Sequence, residues 1–233
     1  MKLPALLFRE GFGARRECED LVAAGLVRVA GEVADDLHRD YPDDGLQVEV
    51  EGRAWTCHAR ALVMLHKPAG YECSRKPAAW PSVLSLLPPP LRRRGVQPIG
   101  RLDQDTTGLL LLTDDGPLIH ALTSPKRHVP KVYEAVTADP VTAAQLDELL
   151  RGVVLHDDPK PVRAASAEML ADGRLSLVLT EGKYHQVKRM VAATGNQVVA
   201  LHRSRFGELA LPDSLMPGQW SWVDDPQVIH GAR

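Results

Sequence analysis

The spacing of apolar positions separates a short amino-terminal block from a longer remainder. Over Arg15–Ala24, Cys18, Leu21 and Val22 fall on one face, and Gly25 follows as a stop, which predicts a short helix. Val27–Val29 and Glu32–Val33 flank the turn pair Ala30-Gly31. Leu46–Val50 alternates with a period of two after the turn Tyr41-Pro42-Asp43-Asp44-Gly45, so short strands are expected there. The stretch around Glu51-Gly52-Arg53 marks a boundary: residues 1–52 as a first module, 53–60 as a linker and 61–233 as a second domain. The first eight residues are apolar except for Lys2, but Pro4 interrupts them and Arg9-Glu10 follow. Neither a signal-peptide core nor a membrane helix is expected.

Beyond the boundary, Ala61–Leu65 reads as a buried strand, and 76–98 as a Pro-rich loop carrying Pro88-Pro89-Pro90 and Arg92-Arg93-Arg94. Leu109–Leu112 is a wholly apolar strand ended by Asp114-Asp115-Gly116. Thr142–Arg151 is a helix with Thr142 and Gln145 as a capping box and Gly152 as its end. Leu175–Leu179 and Asn196–Leu201 are strand-like, and Gln186–Thr194 is a helix with Val187, Met190, Val191 and Thr194 on its core side. Strands with intervening helices and antiparallel-compatible turns predict an α+β fold around a mixed sheet.

Composition changes this picture little, but charge distribution changes it more. The three cysteines, Cys18, Cys57 and Cys73, are far apart and form no C-x-x-C pair, which points to a reducing cytoplasm rather than to zinc or disulfides. The net charge of -2 hides an uneven spread. Residues 1–50 carry 6 Lys/Arg against 11 Asp/Glu, whereas 183–205 carry Lys183, Lys188, Arg189, Arg203 and Arg205 with no acid. With Arg101, Lys126, Arg127 and Lys131, these residues suit either phosphate contacts or a solvated surface. His120, His128, His185 and His202 are too scattered for a metal site, and no Gly-rich nucleotide cradle occurs. Neither a metal nor another cofactor is expected.

The densest chemistry lies in Gly100-Arg101-Leu102-Asp103-Gln104-Asp105-Thr106-Thr107-Gly108, immediately before the apolar strand. A carboxylate nucleophile, a general acid/base pair, a divalent-metal site and a hydrogen-bonded turn all fit these residue types.

That segment, with Thr113-Asp114-Asp115-Gly116, resembles the signature of a pseudouridine synthase family. This is the branch that acts on ribosomal RNA and carries an amino-terminal S4-type RNA-binding module. The likeness continues through His66-Lys67-Pro68-Ala69-Gly70-Tyr71, Lys131-Val132-Tyr133, Glu181 to Met190 and Leu201-His202-Arg203. Gly152-Val153-Val154-Leu155-His156 and Met216-Pro217-Gly218 look most similar to the members that modify small-subunit (16S) rRNA. The resemblance implies an S4-like module followed by a catalytic domain on a mixed, largely antiparallel sheet with flanking helices. It also implies a cofactor-free isomerase of one uridine in rRNA or in a ribosomal assembly intermediate. A monomer away from membranes is expected, because no dimerisation helix or membrane segment is suggested. In the first module Gly13-Ala14-Arg15-Arg16-Glu17 carries the likeness, while Met1-Lys2-Leu3-Pro4-Ala5 departs from the usual opening and Trp80 stands where relatives place His.

Under this resemblance Asp103 is the nucleophile, Lys188 the cation that keeps it ionised, and Tyr133 the ring that stacks on the detached uracil. Arg101 fills the space left by the extruded base, and His185, Gln186, Arg189, Arg15 and Arg16 contact RNA. Helical spacing alone leaves Lys188 and Arg189 as rival partners of Asp103, and an Arg101–Asp105 ion pair is the bland reading of that arginine. Two other functions remain open. One is a catalytically silent RNA-binding assembly factor, and the other a carboxylate-dependent hydrolase or nucleosidase acting on small molecules.

Overall fold

A computed structural model describes residues 1–229. The chain divides into two compact units; the first comprises Met1–Ala61 with Leu87–Gln97 and Thr113–Asp115, and the second comprises the remainder.

The first unit opens with α1 (Leu3–Glu10), an element the apolar pattern did not announce because Pro4 was read as an interruption. Pro4 sits in the first turn, where a missing N–H leaves no intrahelical bond unmade. Leu3, Leu6, Leu7 and Glu10 therefore form one buried face, and Gly11 closes the helix in the left-handed region at φ 89°. The same reasoning corrects the Pro-rich loop, because Pro89 and Pro90 begin a helix, α3 (Pro89–Arg94), that ends at Gly95. α2 (Arg15–Ala23) buries Cys18 and Val22 and leaves Arg15 and Arg16 exposed.

The sheet of this unit runs β2–β1–β3–β4, from β1 (Val27–Val29), β2 (Glu32–Val33), β3 (Gln47–Val50) and β4 (Arg53–Thr56), with every pairing antiparallel. Thus the linker expected at 53–60 begins as a strand. Glu51 and Gly52, at φ 50° and 78°, form a two-residue hairpin turn that pairs Arg53 with Val50 and Trp55 with Val48.

A charged group sits in this core. Glu10 is fully buried; its carboxylate accepts from Trp55 Nε1 (3.2 Å), the His58 amide (3.2 Å) and Arg94 Nη1 (2.7 Å). The guanidinium of Arg94 also reaches Asp114 (2.5 Å) and the His58 carbonyl (2.6 Å), and Asp114 accepts from the Ala61 amide (2.9 Å). Three stretches distant in sequence are thereby tied into one unit. Burial alone makes such a pair costly, so its value depends on completeness of the hydrogen bonding.

The second unit is built on a sheet ordered β11–β12–β8–β13–β7–β5–β15. Its strands are β5 (Leu62–Lys67), β7 (Thr107–Thr113), β8 (Lys131–Thr137), β11 (Ser166–Met169), β12 (Leu175–Leu179), β13 (Val198–Phe206) and β15 (Trp220–Trp222). The two-residue β14 (Leu209–Ala210) pairs with β13, and β6 (Gln97–Pro98) leads into the second unit. The hairpin β9 (Val153–Leu155) and β10 (Asp158–Val162) stands apart from the main sheet. Most pairings among these strands are antiparallel; β13 and β7 run parallel, with His202 opposite Thr107 and Arg203 opposite Gly108.

The helices of this unit are α4 (Gly116–Thr123), α5 (Ala143–Arg151) and α6 (Gln186–Ala193). Thr142 caps α5 with the predicted reciprocal bonds to Gln145. On α6, Val187, Met190 and Val191 pack with Leu175, Leu177 and Leu201, as their spacing predicts, while Thr194 is only half-buried. A second apolar cluster gathers Leu109 and Leu111 with Leu62, Ile99 and Phe206.

The Glu10–Arg94 pair gives a direct expectation. Arg94→Met leaves Glu10 and Asp114 without their shared cation and should destabilise the first unit by about 3 kcal/mol. Hydrogen exchange at the β3 and β4 amides measures this; unchanged protection would show that the pair contributes nothing to stability.

Candidate active site

The loop from Ile99 to Thr106 enters the parallel seam between β7 and β13. Gly108, at φ 108°, lies so close to β13 that a Cβ would run into the backbone of Arg203. Only glycine permits this approach, which fixes where the loop joins the sheet. Lys67, at the end of β5 and wholly buried, donates from Nζ to the carbonyls of Pro68 (3.0 Å), Gln104 (3.0 Å) and Thr106 (2.8 Å). Burial pushes its pKa down, opposed by Cys73, Asp105 and Asp103. The Gly70 amide adds a bond to the Gln104 carbonyl (2.8 Å), and the Leu102 amide donates to Cys73 Sγ (3.5 Å). The loop is thus held by its backbone, which leaves its carboxylates free for other partners.

Asp103 uses that freedom. Its carboxylate lies 3.4 Å from Lys188 Nζ and 3.3 Å from His185 Nε2, both from the start of α6. Lys188 is shared, and it binds Asp105 more tightly, at 2.7 and 2.8 Å to the two oxygens. Burial pushes the Asp105 carboxyl up, but the hydrogen bond and charge of Lys188 outweigh it and hold the group below its ordinary value. Lys188 is therefore the partner of Asp103. Arg189 points elsewhere, paired with Asp157 and donating to the Tyr184 carbonyl (3.0 Å).

Asp103 and His185 open on a cavity of about 440 Å³, also lined by Arg101, Tyr133, Lys131 and Arg203. Tyr133 is on β8, directly opposite Arg203 of β13. Arg203 is 1% exposed; Nε donates to the Leu109 carbonyl (2.8 Å), and the guanidinium lies 6.0 Å from the Tyr133 ring centre and 5.3 Å from that of Phe206. Its Nη2 has no hydrogen-bond partner among the described residues. A delocalised cation between two rings tolerates such burial better than an ammonium would. Nearby Lys131 donates to the Val129 carbonyl (2.9 Å), and burial, with the charge of Arg203, pushes its pKa down to about 8.

The other expected RNA contacts fare differently. His185 is beside Asp103, in the left-handed region at φ 47°. Gln186 is 5% exposed, and its amide is used internally, with Oε1 accepting from Lys183 N (2.8 Å) and Nε2 donating to Glu181 (3.0 Å). It orders the loop before α6 instead of facing outward. Arg101 is exposed beside the cavity, and Asp105, its expected ion-pair partner, is engaged by Lys188. Arg15 lies 5.0 Å from the Phe8 ring on the surface of the first unit. Two residues that sequence reasoning named within its blocks but gave no individual role are Lys67 and Arg203. Arg203 was within reach, because the period of two places it on the face of buried Leu201.

Comparison with known proteins decides what this constellation belongs to. Residues 61–193 match the family model described as RNA pseudouridylate synthase, and residues 1–40 match the S4 domain. The chain belongs to the RNA pseudouridylate synthase family. It is 38% identical to the uncharacterized RNA pseudouridine synthase YtzG of Bacillus subtilis, covering 98% of this chain and 97% of that one. It is 37% identical to the Ribosomal small subunit pseudouridine synthase A of Pasteurella multocida, over 98% of both. A crystal structure of a pseudouridylate synthase superposes with a TM-score of 0.67 at 33% identity, covering 96% of each chain. The resemblance read from the sequence blocks therefore holds. As a pseudouridine synthase the protein is an isomerase, and Asp103, paired with Lys188, lines a cavity that Tyr133 also lines.

Two outcomes follow for this synthase. Lys188→Met should lower the single-turnover rate of pseudouridine formation by about a hundredfold, the order expected for loss of one preorganised charge, with Lys188→Arg recovering part of it. An unchanged rate would remove Lys188 from the chemistry. Lys131, with its pKa at about 8, keeps its proton below that pH and loses it above. Affinity for an anionic substrate should therefore fall as pH rises through about 8, and Lys131→Arg should abolish that limb because guanidinium stays charged. Titration of RNA binding against pH reads both.

Proposed function

We propose that this protein converts one specific uridine of small-subunit (16S) ribosomal RNA into pseudouridine, with Asp103 as the nucleophile. The observation that carries this reading is the Asp103 carboxylate, flanked by Lys188 and His185, in a cavity that Tyr133 also lines. The small-subunit assignment is supported by relatives named Ribosomal small subunit pseudouridine synthase A and by the Gly152–His156 and Met216–Gly218 segments.

In this mechanism Asp103 attacks the uracil ring or the ribose C1′, and the N1–C1′ bond breaks. The base turns, carbon C5 joins C1′, the bond between Asp103 and carbon breaks to return the free carboxylate, C5 loses its proton and N1 gains one. The atoms balance with no co-reactant. Lys188 keeps Asp103 charged, at a desolvation cost that makes sense as preorganisation rather than as stability. The Tyr133 ring holds the detached base while its hydroxyl lies near the migrating proton. Extruding the base costs a few kcal/mol, and Arg101, at the cavity edge, takes the vacated place. Arg15 and Arg16 supply phosphate contacts from the S4 unit. In this reading the protein acts as a monomer in the cytoplasm, on rRNA or on an assembling subunit.

The test is pseudouridine mapping on small- and large-subunit rRNA, naked and in assembly particles, after incubation with wild type and with Asp103→Ala. A single small-subunit site that vanishes in the variant is expected. No site on any RNA would favour a silent assembly factor, and a large-subunit site would correct the substrate.

A further inference from the structure

We propose that Tyr184 and His185 form a stacking platform for an unpaired nucleobase that neighbours the target uridine in the RNA. This inference rests on the reading that the substrate is a uridine within an RNA strand. Tyr184 is 70% exposed, the highest value among the exposed large hydrophobic residues, yet it lines the catalytic cavity. Its ring is stacked on His185, with centres 3.8 Å apart and planes 18° from parallel. One face of the tyrosine is therefore covered, and the exposure leaves the other open. At its ring edge, His185 Nε2 is 3.3 Å from Asp103. The imidazole thus touches both the tyrosine ring and Asp103.

A solitary surface aromatic needs no explanation, but this one is held in place. The Tyr184 carbonyl accepts from Arg189 (3.0 Å), and Arg189 is paired with Asp157 in the turn between β9 and β10. On the other side, Lys183 is paired with Asp158 of the same hairpin. His185 takes a left-handed φ of 47°, unusual for a residue with a side chain, and this accompanies the tyrosine–imidazole stack. A rigid aromatic with one free face, at a cavity that admits an extruded base, suits the flat surface of another base. Every nucleobase offers such a face, so the contact selects single-stranded RNA more than a particular sequence. Because His185 touches Asp103, a base seated on Tyr184 also fixes the imidazole beside the nucleophile. Tyr184 and His185 are in this sense positioning residues.

The test is a double-mutant cycle between protein and RNA. Substrates are fragments spanning the mapped uridine, intact or with the 5′ or the 3′ neighbour made abasic, and the proteins are wild type, Tyr184→Phe and Tyr184→Ala. Tyr184→Ala should raise KM about tenfold with a smaller change in kcat, and Tyr184→Phe should stay within about twofold, in keeping with the size of base–aromatic stacking. One abasic substitution should raise KM for wild type to a similar extent and have no further effect on Tyr184→Ala. Effects that multiply at both neighbours, or no effect of Tyr184→Ala, would overturn the platform. Binding gives a second readout independent of turnover. In a single-stranded oligonucleotide with 2-aminopurine beside a uridine, wild type should quench the fluorescence and Tyr184→Ala should not. Quenching without pseudouridine formation would sink the proposed reaction and keep the platform; pseudouridine formation without quenching would do the reverse.

Discussion

The active-site geometry depends on a buried ammonium group that touches no substrate. Lys67 binds three backbone carbonyls around the loop that carries Asp103 and Asp105. A loop rich in carboxylates would normally satisfy its own amides with them, as Asp does in ordinary turns. Here a lysine, the Gly70 amide and the Cys73 sulfur carry the main tertiary contacts of the loop backbone, so the carboxylates turn toward α6. Gly108 completes the constraint by letting β7 meet β13 at van der Waals limits. The site is positioned by backbone contacts and armed by side chains, which separates its rigidity from its chemistry.

That separation also governs the electrostatics. Lys188 serves two carboxylates but sits closer to Asp105, whose depressed pKa reflects the stronger contact. The longer 3.4 Å contact leaves Asp103 paired but not locked, an arrangement suited to the nucleophilic role proposed for it. In the same cavity Lys131 and Arg203 have no carboxylate partner among the described residues; burial and the charge of Arg203 lower the lysine pKa, and the guanidinium lies near the Tyr133 and Phe206 rings. Cations kept short of counterions in a partly buried site gain most from an incoming anionic or carbonyl oxygen.

Much of this was legible in the sequence, for reasons specific to each element. The Leu175–Leu179 strand, the capped α5 helix and the buried face of α6 each combine a clear period with a local start or stop signal. Asp103 stood out because a cation, two acids and two hydroxyls between glycines precede an apolar strand, and the family resemblance selected one chemistry among four. Proline misled twice. Pro4 and Pro89-Pro90 read as breaks, yet each lies in a helix's first turn, where the ring costs nothing. Glu51-Gly52 read as the end of a module because a two-residue hairpin and a boundary share the same residue types. Lys67 was hidden for a different reason: a lysine ending an apolar strand ordinarily marks the exit to solvent, and only the fold brings carbonyls to it.

The acidic balance of the chain can then be understood without denying it an RNA partner. Glu10 is consumed inside the first unit, and Asp105, Asp157 and Asp158 are engaged by Lys188, Arg189 and Lys183. Several cations of the basic stretch at 183–205 are likewise spent on architecture, so a count of charges along the sequence overstates both the acid and the base available to a ligand. What is left at the cavity is a small set with distinct environments: Arg101 exposed, Lys131 half-buried and Arg203 enclosed. Recognition by so few charges leans on shape and stacking more than on a broad positive field. An extruded base offers both, so an acidic protein and an RNA substrate are compatible when the site reads a base instead of a phosphate ladder.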